Sequence, residues 1–332
     1  MKRNAILLIL TLLIGLLAVT GCKDGTMGGT MSTQQEKDLG AEYAAELDRQ
    51  LKYVDDSKMN TRILQIALPI FAEANKDRPD VTFHIRIVDD KEVNAFSIPG
   101  GYVYINKGLI DKLGTDDDAV ACVIGHESAH VVRRHVVKQI ADAQNKGLLV
   151  DVAAILTKSS VVENVGGGLL DLQETHFSRE DEYEADRWGE RFAYNAGYDP
   201  DGMLRTFKVL NDVESKEGGH EPPYLMDHPV TKNRAIRALE QWRELRANNG
   251  QYISDTYTPD GDQIAAKKNG INYAALVLAT PAIDLSSLPV DKGEPSAGHT
   301  AGPSTAVDSS TPAGGASPSG STTPSGVDEK TK

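Results

Sequence analysis

"GHESAH", residues 125–130, is the stretch on which the reading of this chain turns. It sets two histidines four apart, with a glutamate directly after the first. A helix turns about 100° per residue, so His126 and His130 lie on one face, a turn apart. Two imidazoles placed like this can reach one metal ion, with Glu127 beside them as a base. Such a short pattern also arises by chance, on an ordinary helix that happens to hold two histidines. The surrounding sequence has to decide.

Thr115 followed by Asp116, Asp117 and Asp118 opens a long helix, its acids at the positive end, while Arg133, Arg134 and Lys138 suit the negative end. The histidine pair therefore falls mid-helix. His135 lies nine residues after His126, about half a turn round, and is expected on the opposite face as a C-terminal cation. The longer H-E-x-x-H-x-x-G-x-x-H pattern fails, because Arg133 and Val136 stand where it needs Gly and His. A catalytic zinc takes three protein ligands and keeps one position for water, so a third ligand must come from elsewhere. "SREDEYEAD", residues 178–186, offers Glu182 and Asp186, again four apart. One carboxylate can ligate while the other orients a ligand histidine. Taken alone, the same run reads equally well as an exposed acidic helix.

Outward from these two segments the chain alternates helices with a little sheet. Ser32 with Gln35 forms a capping box opening a helix to about residue 52, and a second helix covers 58–75, with a kink expected at Pro69. "VTFHIRI", residues 81–87, alternates as a strand with one buried face, leaving His84 on the polar side. "NAFSIPGGYVYIN", residues 94–106, reads as two extended segments around a Pro-Gly-Gly turn. The apolar, glycine-rich residues 147–170 are interrupted by Asp151, Lys158 and Glu163, which favours a buried or lid-like hairpin over a membrane span. Ser178 with Asp181 caps a helix that Gly197 closes, and helices follow at about 200–212 and 231–247. Cys122, a turn before His126, is expected in the core.

"NAFSIPGGYVYINKGL", "GHESAHVVRRH", "SREDEYEADRWG" and "DHPVTKNRA" occur in an order and spacing that resemble the zinc metallopeptidase family that includes HtpX, the CAAX prenyl proteases, and envelope peptidases such as LoiP and BepA. The resemblance covers about residues 34–245. It implies an α+β, predominantly helical zincin (gluzincin-like) domain with a small antiparallel-rich sheet and an active-site edge strand. It implies one Zn2+ per chain held by His126, His130 and Glu182, with Glu127 as general base and Asp186 behind a ligand histidine. Asn94, Ala95, Phe96, Ser97 and Ile98 match the edge strand that takes substrate. His228 matches a histidine able to approach the zinc and close the site, though it can instead be a structural residue before Pro229. Arg234 matches a basic residue near the site, and either His228 or Arg234 can share oxyanion charge. The transmembrane helices of HtpX and the prenyl proteases have no counterpart here, nor have the TPR repeats of BepA.

The ends of the 332-residue chain read differently. Lys2 and Arg3 precede an apolar run that ends in "VTGC", residues 19–22, which resembles a bacterial lipobox. Residues 1–21 are then a lipoprotein signal peptide, Cys22 is lipidated, 22–31 form a tether, 32–248 the peptidase domain and 249–290 an extension. Residues 291–332, rich in Pro, Gly, Ser and Thr, form a disordered tail. Lys23 favours the outer membrane, by resemblance to lipoprotein sorting. With Cys22 lipidated, Cys122 is left without a partner for a disulfide. The formal charge of −13 becomes −15 once Lys2 and Arg3 are removed, which argues against nucleic-acid binding. The expected function is a zinc-dependent endopeptidase of the bacterial envelope, facing the periplasm and cleaving unfolded or misassembled proteins with water activated by zinc and Glu127. The second reading is a chaperone-like assembly factor for outer-membrane proteins with restrained proteolysis.

Overall fold

In a computed structural model of the chain, residues 31–145, 177–216, 222–252 and 288–289 are described. Expectations for the leader, Cys22, the 147–170 hairpin and the tail lie outside them. Among the described residues the elements run α1 (Thr33–Gln50), α2 (Ser57–Asp77), β1 (His84–Val88), β2 (Ala95–Ile98), β3 (Tyr102–Asn106), α3 (Lys107–Leu113), α4 (Asp117–Arg133), α5 (His135–Asn145), α6 (Arg179–Asn195), α7 (Gly202–Lys216), α8 (Pro223–Asp227) and α9 (Lys232–Ala247). This is a helical α+β domain with a small sheet.

The helix starts follow local chemistry. Ser32 with Gln35 and Ser178 with Asp181 both form reciprocal capping boxes, satisfying amides that the first turn leaves unpaired. Asp116 accepts from the Ala119 amide at the start of α4. α2 continues as one helix through Pro69. Gly197, at φ 95°, turns the chain after α6.

The sheet is mixed, in the order β1-β3-β2. β2 and β3 form the expected antiparallel hairpin around Pro99, Gly100 and Gly101. β1, however, pairs parallel to β3, so "antiparallel-rich" describes only one of the two pairings. The cause is connectivity: β2 follows β1 in sequence but lies on the far side of β3, and reversing direction twice leaves β1 and β3 aligned. Among the described residues β2 is thereby an edge strand.

α4 is the centre of the domain. Every residue from Ala119 to Val132 is buried, the condition of a helix packed on all sides. α2, α6, α7 and β2 all pack against it. It crosses α6 closely, where a Cβ added at Gly125 would lie 2.6 Å from the Gly189 carbonyl oxygen and one at Gly189 would lie 2.6 Å from the His126 amide nitrogen. Two glycines let the backbones meet where the histidines of α4 face the carboxylates of α6. Cys122 is fully buried in the core, as expected, and burial pushes its thiol well above the usual range.

Candidate active site

α4 contributes His126, Glu127 and His130, α6 contributes Glu182 and Asp186, the α8–α9 turn contributes His228, and α9 contributes Arg234. None of these seven residues is more than 3 % exposed. Four of them offer one ligand atom each with all four atoms within 4.8 Å of one another: His126, His130, Glu182 and His228. His126 Nε2 lies 3.0 Å from His130 Nε2 and 3.3 Å from His228 Nδ1. Glu182 Oε1 is 3.4 Å from His130 Nε2 and 2.9 Å from His228 Nδ1, and its Oε2 is 3.6 Å from His126 Nε2.

The donor set itself tests the fit of a zinc ion. His126 Nδ1 faces Asp186 Oδ1 at 2.9 Å, which places the ring proton there and leaves a lone pair on Nε2. His130 Nδ1 lies 2.8 Å from Nδ1 of a fourth histidine, His135, which can accept its ring proton and so leave the lone pair on Nε2. Burial holds His130 well below the usual histidine range, so its ring is neutral. Two lone pairs 3.0 Å apart repel unless a cation lies between them. Zinc ligands at about 2.0–2.1 Å in a tetrahedron stand about 3.3 Å from one another, and the observed donor separations of 2.9–3.6 Å bracket that value. The residues fit the ion.

Charge is arranged around the donors. Burial alone would raise the carboxyl of Glu182, but His228 and Arg234 hold it well below the usual carboxylate range. Burial likewise opposes ionisation of Asp186, and Arg234 overcomes it. Arg234 donates to Asp186 through Nε (2.8 Å) and Nη2 (2.7 Å), and its Nη1 donates to the Pro229 carbonyl (2.8 Å) and pairs with Glu182 Oε2 (2.7 Å). All three guanidinium nitrogens are thus engaged in holding the carboxylates of α6. Sharing of oxyanion charge, the role offered in the alternative to His228 or Arg234, would have to compete with these bonds.

Glu127 stands beside the donors without joining them. Ser97 Oγ, on edge strand β2, donates to its Oε2 at 3.1 Å, while Oε1 has no hydrogen-bond partner and lies 3.6 Å from His228 Nε2. Ala95 to Ile98 form β2, and Asn94 sits just before it with its side chain buried. The segment singled out in the sequence is therefore tied to the base by a hydrogen bond that no pattern announced.

His135 corrects the sequence reading. The helix does not continue past Arg133: Arg134 is left-handed (φ 59°, ψ 36°) and a new helix starts at His135. The break carries His135 back onto His130, Nδ1 to Nδ1 at 2.8 Å, fully buried, with Glu184 Oε2 at 2.9 Å from its Nε2. Burial would raise the Glu184 carboxyl, but His135 and Arg133 hold it at about 2. Half-turn arithmetic assumed one unbroken helix, and non-glycine residues adopt positive φ too rarely for the break to be foreseen. His84, expected on the polar side, is half-buried and stacks on Tyr102.

A helical domain with His126, Glu127 and His130 opposed to Glu182 and Asp186 defines a metallopeptidase type of site. Residues 57–243 match the sequence profile of peptidase family M48, and the chain belongs to that family. It is 25 % identical over 254 residues to the beta-barrel assembly-enhancing protease of Escherichia coli, an alignment covering 74 % of this chain and 51 % of that one. Metalloprotease LoiP of Escherichia coli is 27 % identical over 259 residues, 73 % of this chain and 93 % of LoiP. The mitochondrial metalloendopeptidase OMA1 of Schizosaccharomyces pombe is 31 % identical over 166 residues, 49 % of this chain and 47 % of that one. The chain spans about half the length of the beta-barrel assembly-enhancing proteases it matches.

Proposed function

We propose that the chain is a zinc-dependent endopeptidase of the bacterial envelope, anchored through lipid on Cys22, that cleaves unfolded or misassembled proteins. One observation carries the reading: the candidate base, Glu127, is bonded to the edge strand β2 and adjoins the four-donor cluster. A substrate backbone added alongside β2 would run past both. Extended segments can pair with an edge strand and folded ones cannot, which selects unfolded substrates.

His126, His130 and Glu182 would hold the zinc, with Asp186 fixing the ring of His126 and Arg234 fixing both carboxylates of α6. Zinc there would supply Lewis acidity, polarising the scissile carbonyl and lowering the pKa of an attacking water to about 7. Glu127 accepts the proton of that water on Oε1 and delivers it to the leaving amine. Ser97 holds the other carboxylate oxygen, keeping the free one in place.

His228 supports the restrained variant of this function, in which an assembly factor cuts seldom. Its Nδ1 is one of the four clustered donors, so at rest the ring stands where water would otherwise have access. It must swing aside before a substrate carbonyl enters. Names of relatives point the same way, one being called a beta-barrel assembly-enhancing protease. No helix among the described residues is long and apolar enough to cross a membrane, which accords with attachment by lipid.

The test uses the purified full-length chain, with zinc analysis and an unfolded casein as substrate. Wild type should carry about one zinc and cleave. Glu127→Gln should keep the zinc and lose at least a hundredfold in turnover, in line with general base catalysis. A fully active Glu127→Gln, or wild type without zinc, would refute the proposal.

A further inference from the structure

His135 is not one of the four clustered donors, yet its Nδ1 lies 2.8 Å from His130 Nδ1, nearer than Glu182 Oε1 lies to His130 Nε2, at 3.4 Å. A neutral imidazole carries one proton and one lone pair. With the lone pair of His130 on Nε2 among the donors, its Nδ1–H donates to His135 Nδ1. His135 then has its own proton on Nε2, which donates to Glu184 Oε2 at 2.9 Å, with Asp181 Oδ1 at 3.4 Å. The hydrogen bonds thus run one way, from the donor cluster outward, and end on a carboxylate paired with Arg133 at 2.5 Å. Phe177 stacks on the His130 ring at 4.0 Å, so the ring is constrained by stacking as well as by its hydrogen bond.

The backbone is bent to make this contact. On a continuous helix His135 would stand about 140° round from His130, out of reach. Arg134 in the left-handed region brings it back, and Glu36 of α1 accepts from Arg134 Nε at 2.8 Å while the Met31 carbonyl accepts from Nη2. Arg78 also donates to Glu36, so a buried carboxylate from the first helix pins the turn.

We propose that His135 is a positioning residue for the metal site, fixing the tautomer and ring orientation of His130 as Asp186 does for His126. The inference rests on the metallopeptidase reading above. It assigns a role to a residue five places beyond His130, the last position of the H-E-x-x-H pattern, and it makes the Arg134 turn part of the site.

Zinc affinity, measured by chelator competition on the full-length chain, tests it, with visible absorption of the Co(II)-substituted protein reporting ligand geometry. His135→Ala leaves the buried Nδ1–H of His130 with no acceptor and should weaken zinc about 10- to 100-fold, the usual range for such partners. His135→Asn places an amide oxygen where Nδ1 stood and should recover most of that loss. Thermal unfolding of the zinc-free chains shows whether each variant folds. If His135→Ala does not fold, Glu184→Ala, at a partly exposed position, should still weaken zinc and alter the Co(II) spectrum. Unchanged affinity in His135→Ala, or in Glu184→Ala where the former is unfolded, would overturn the positioning role. Equal loss in His135→Ala and His135→Asn would do the same. A second zinc equivalent in wild type that disappears in His135→Ala would make His135 a ligand, contrary to the proposal. Wild type without zinc would remove the metallopeptidase reading, and the inference with it.

Discussion

Replacing Gly189 by alanine would separate two effects of opposite sign. Inside a helix, Gly to Ala ordinarily stabilises by about 0.5–1 kcal/mol, because alanine loses less conformational freedom on folding. At this crossing, however, the new Cβ would lie 2.6 Å from the His126 amide nitrogen and 2.8 Å from its Cα, both of them backbone atoms that cannot rotate away. Ordinary carbon contacts begin near 3.5 Å, so α4 and α6 must part locally by roughly 0.8 Å. Overpacking of that kind costs about 1–3 kcal/mol, which outweighs the helix gain. The consequence for the metal is sharper. α4 carries both histidines and α6 carries Glu182 and Asp186, while ligand distances tolerate only about 0.2 Å. Gly189→Ala should therefore lower the midpoint of thermal unfolding by several degrees and weaken zinc at least tenfold by chelator competition. A variant as stable as wild type with unchanged zinc affinity would show that the crossing does not set the site's geometry.

His130→Ala and Glu182→Gln should each reduce zinc occupancy markedly by elemental analysis; full retention in both would contradict the ligand assignment. His228→Ala should raise casein cleavage if the ring blocks the site at rest, whereas a fall of about a hundredfold would assign it to oxyanion stabilisation and an unchanged rate to structure alone. Glu190 is fully buried with neither oxygen hydrogen-bonded, and burial, then the nearby Asp186, push its carboxyl well above the usual range. Its folded pKa exceeds its unfolded one, so the folded state binds the extra proton and stability falls as pH rises from the ordinary carboxylate range toward the raised value. Glu190→Gln should accordingly unfold at a higher temperature at neutral pH, with a flatter pH dependence; an equal slope in both proteins would exclude Glu190 as its source.

The sequence made some features legible because they are local. Capping boxes at Ser32 and Ser178, the Pro-Gly-Gly hairpin, and the four-residue spacing of His126/His130 and Glu182/Asp186 each follow from a few neighbouring residues. That the two helices face one another came only from resemblance. Gly125 and Gly189 permit the crossing, but a glycine inside a helix does not name its partner. The parallel placement of β1 was hidden for a similar reason, since pairing order is a tertiary choice between strands of the same pattern. His135 was misread because one left-handed residue resets the helical phase, and the Arg134 side chain is held there by Glu36 and the Met31 carbonyl, 98 and 103 residues away in sequence. Local rules fail where a distant side chain decides the backbone.

The same network accounts for why the site must be built from so many elements. Glu127, Glu182 and Asp186 bring three carboxylates into a region where none is more than 2 % exposed, against the one guanidinium of Arg234. Burying unbalanced charge is expensive, and each carboxylate needs either a cation or a hydrogen-bond donor. Arg234 serves Asp186 and one oxygen of Glu182, leaving formally two negative charges among neutral imidazoles. A divalent cation among the four donors brings the sum to zero. His228 offers the partial alternative, for Glu182 and Glu127 overcome burial and raise its pKa above the usual histidine value. One residue can thus meet the surplus either as a proton carrier or as a neutral fourth donor. On the proposed function, the ring that keeps water from the metal is also the ring that lets these carboxylates stay buried, so one side chain would supply both the restraint on cleavage and the stability of the site.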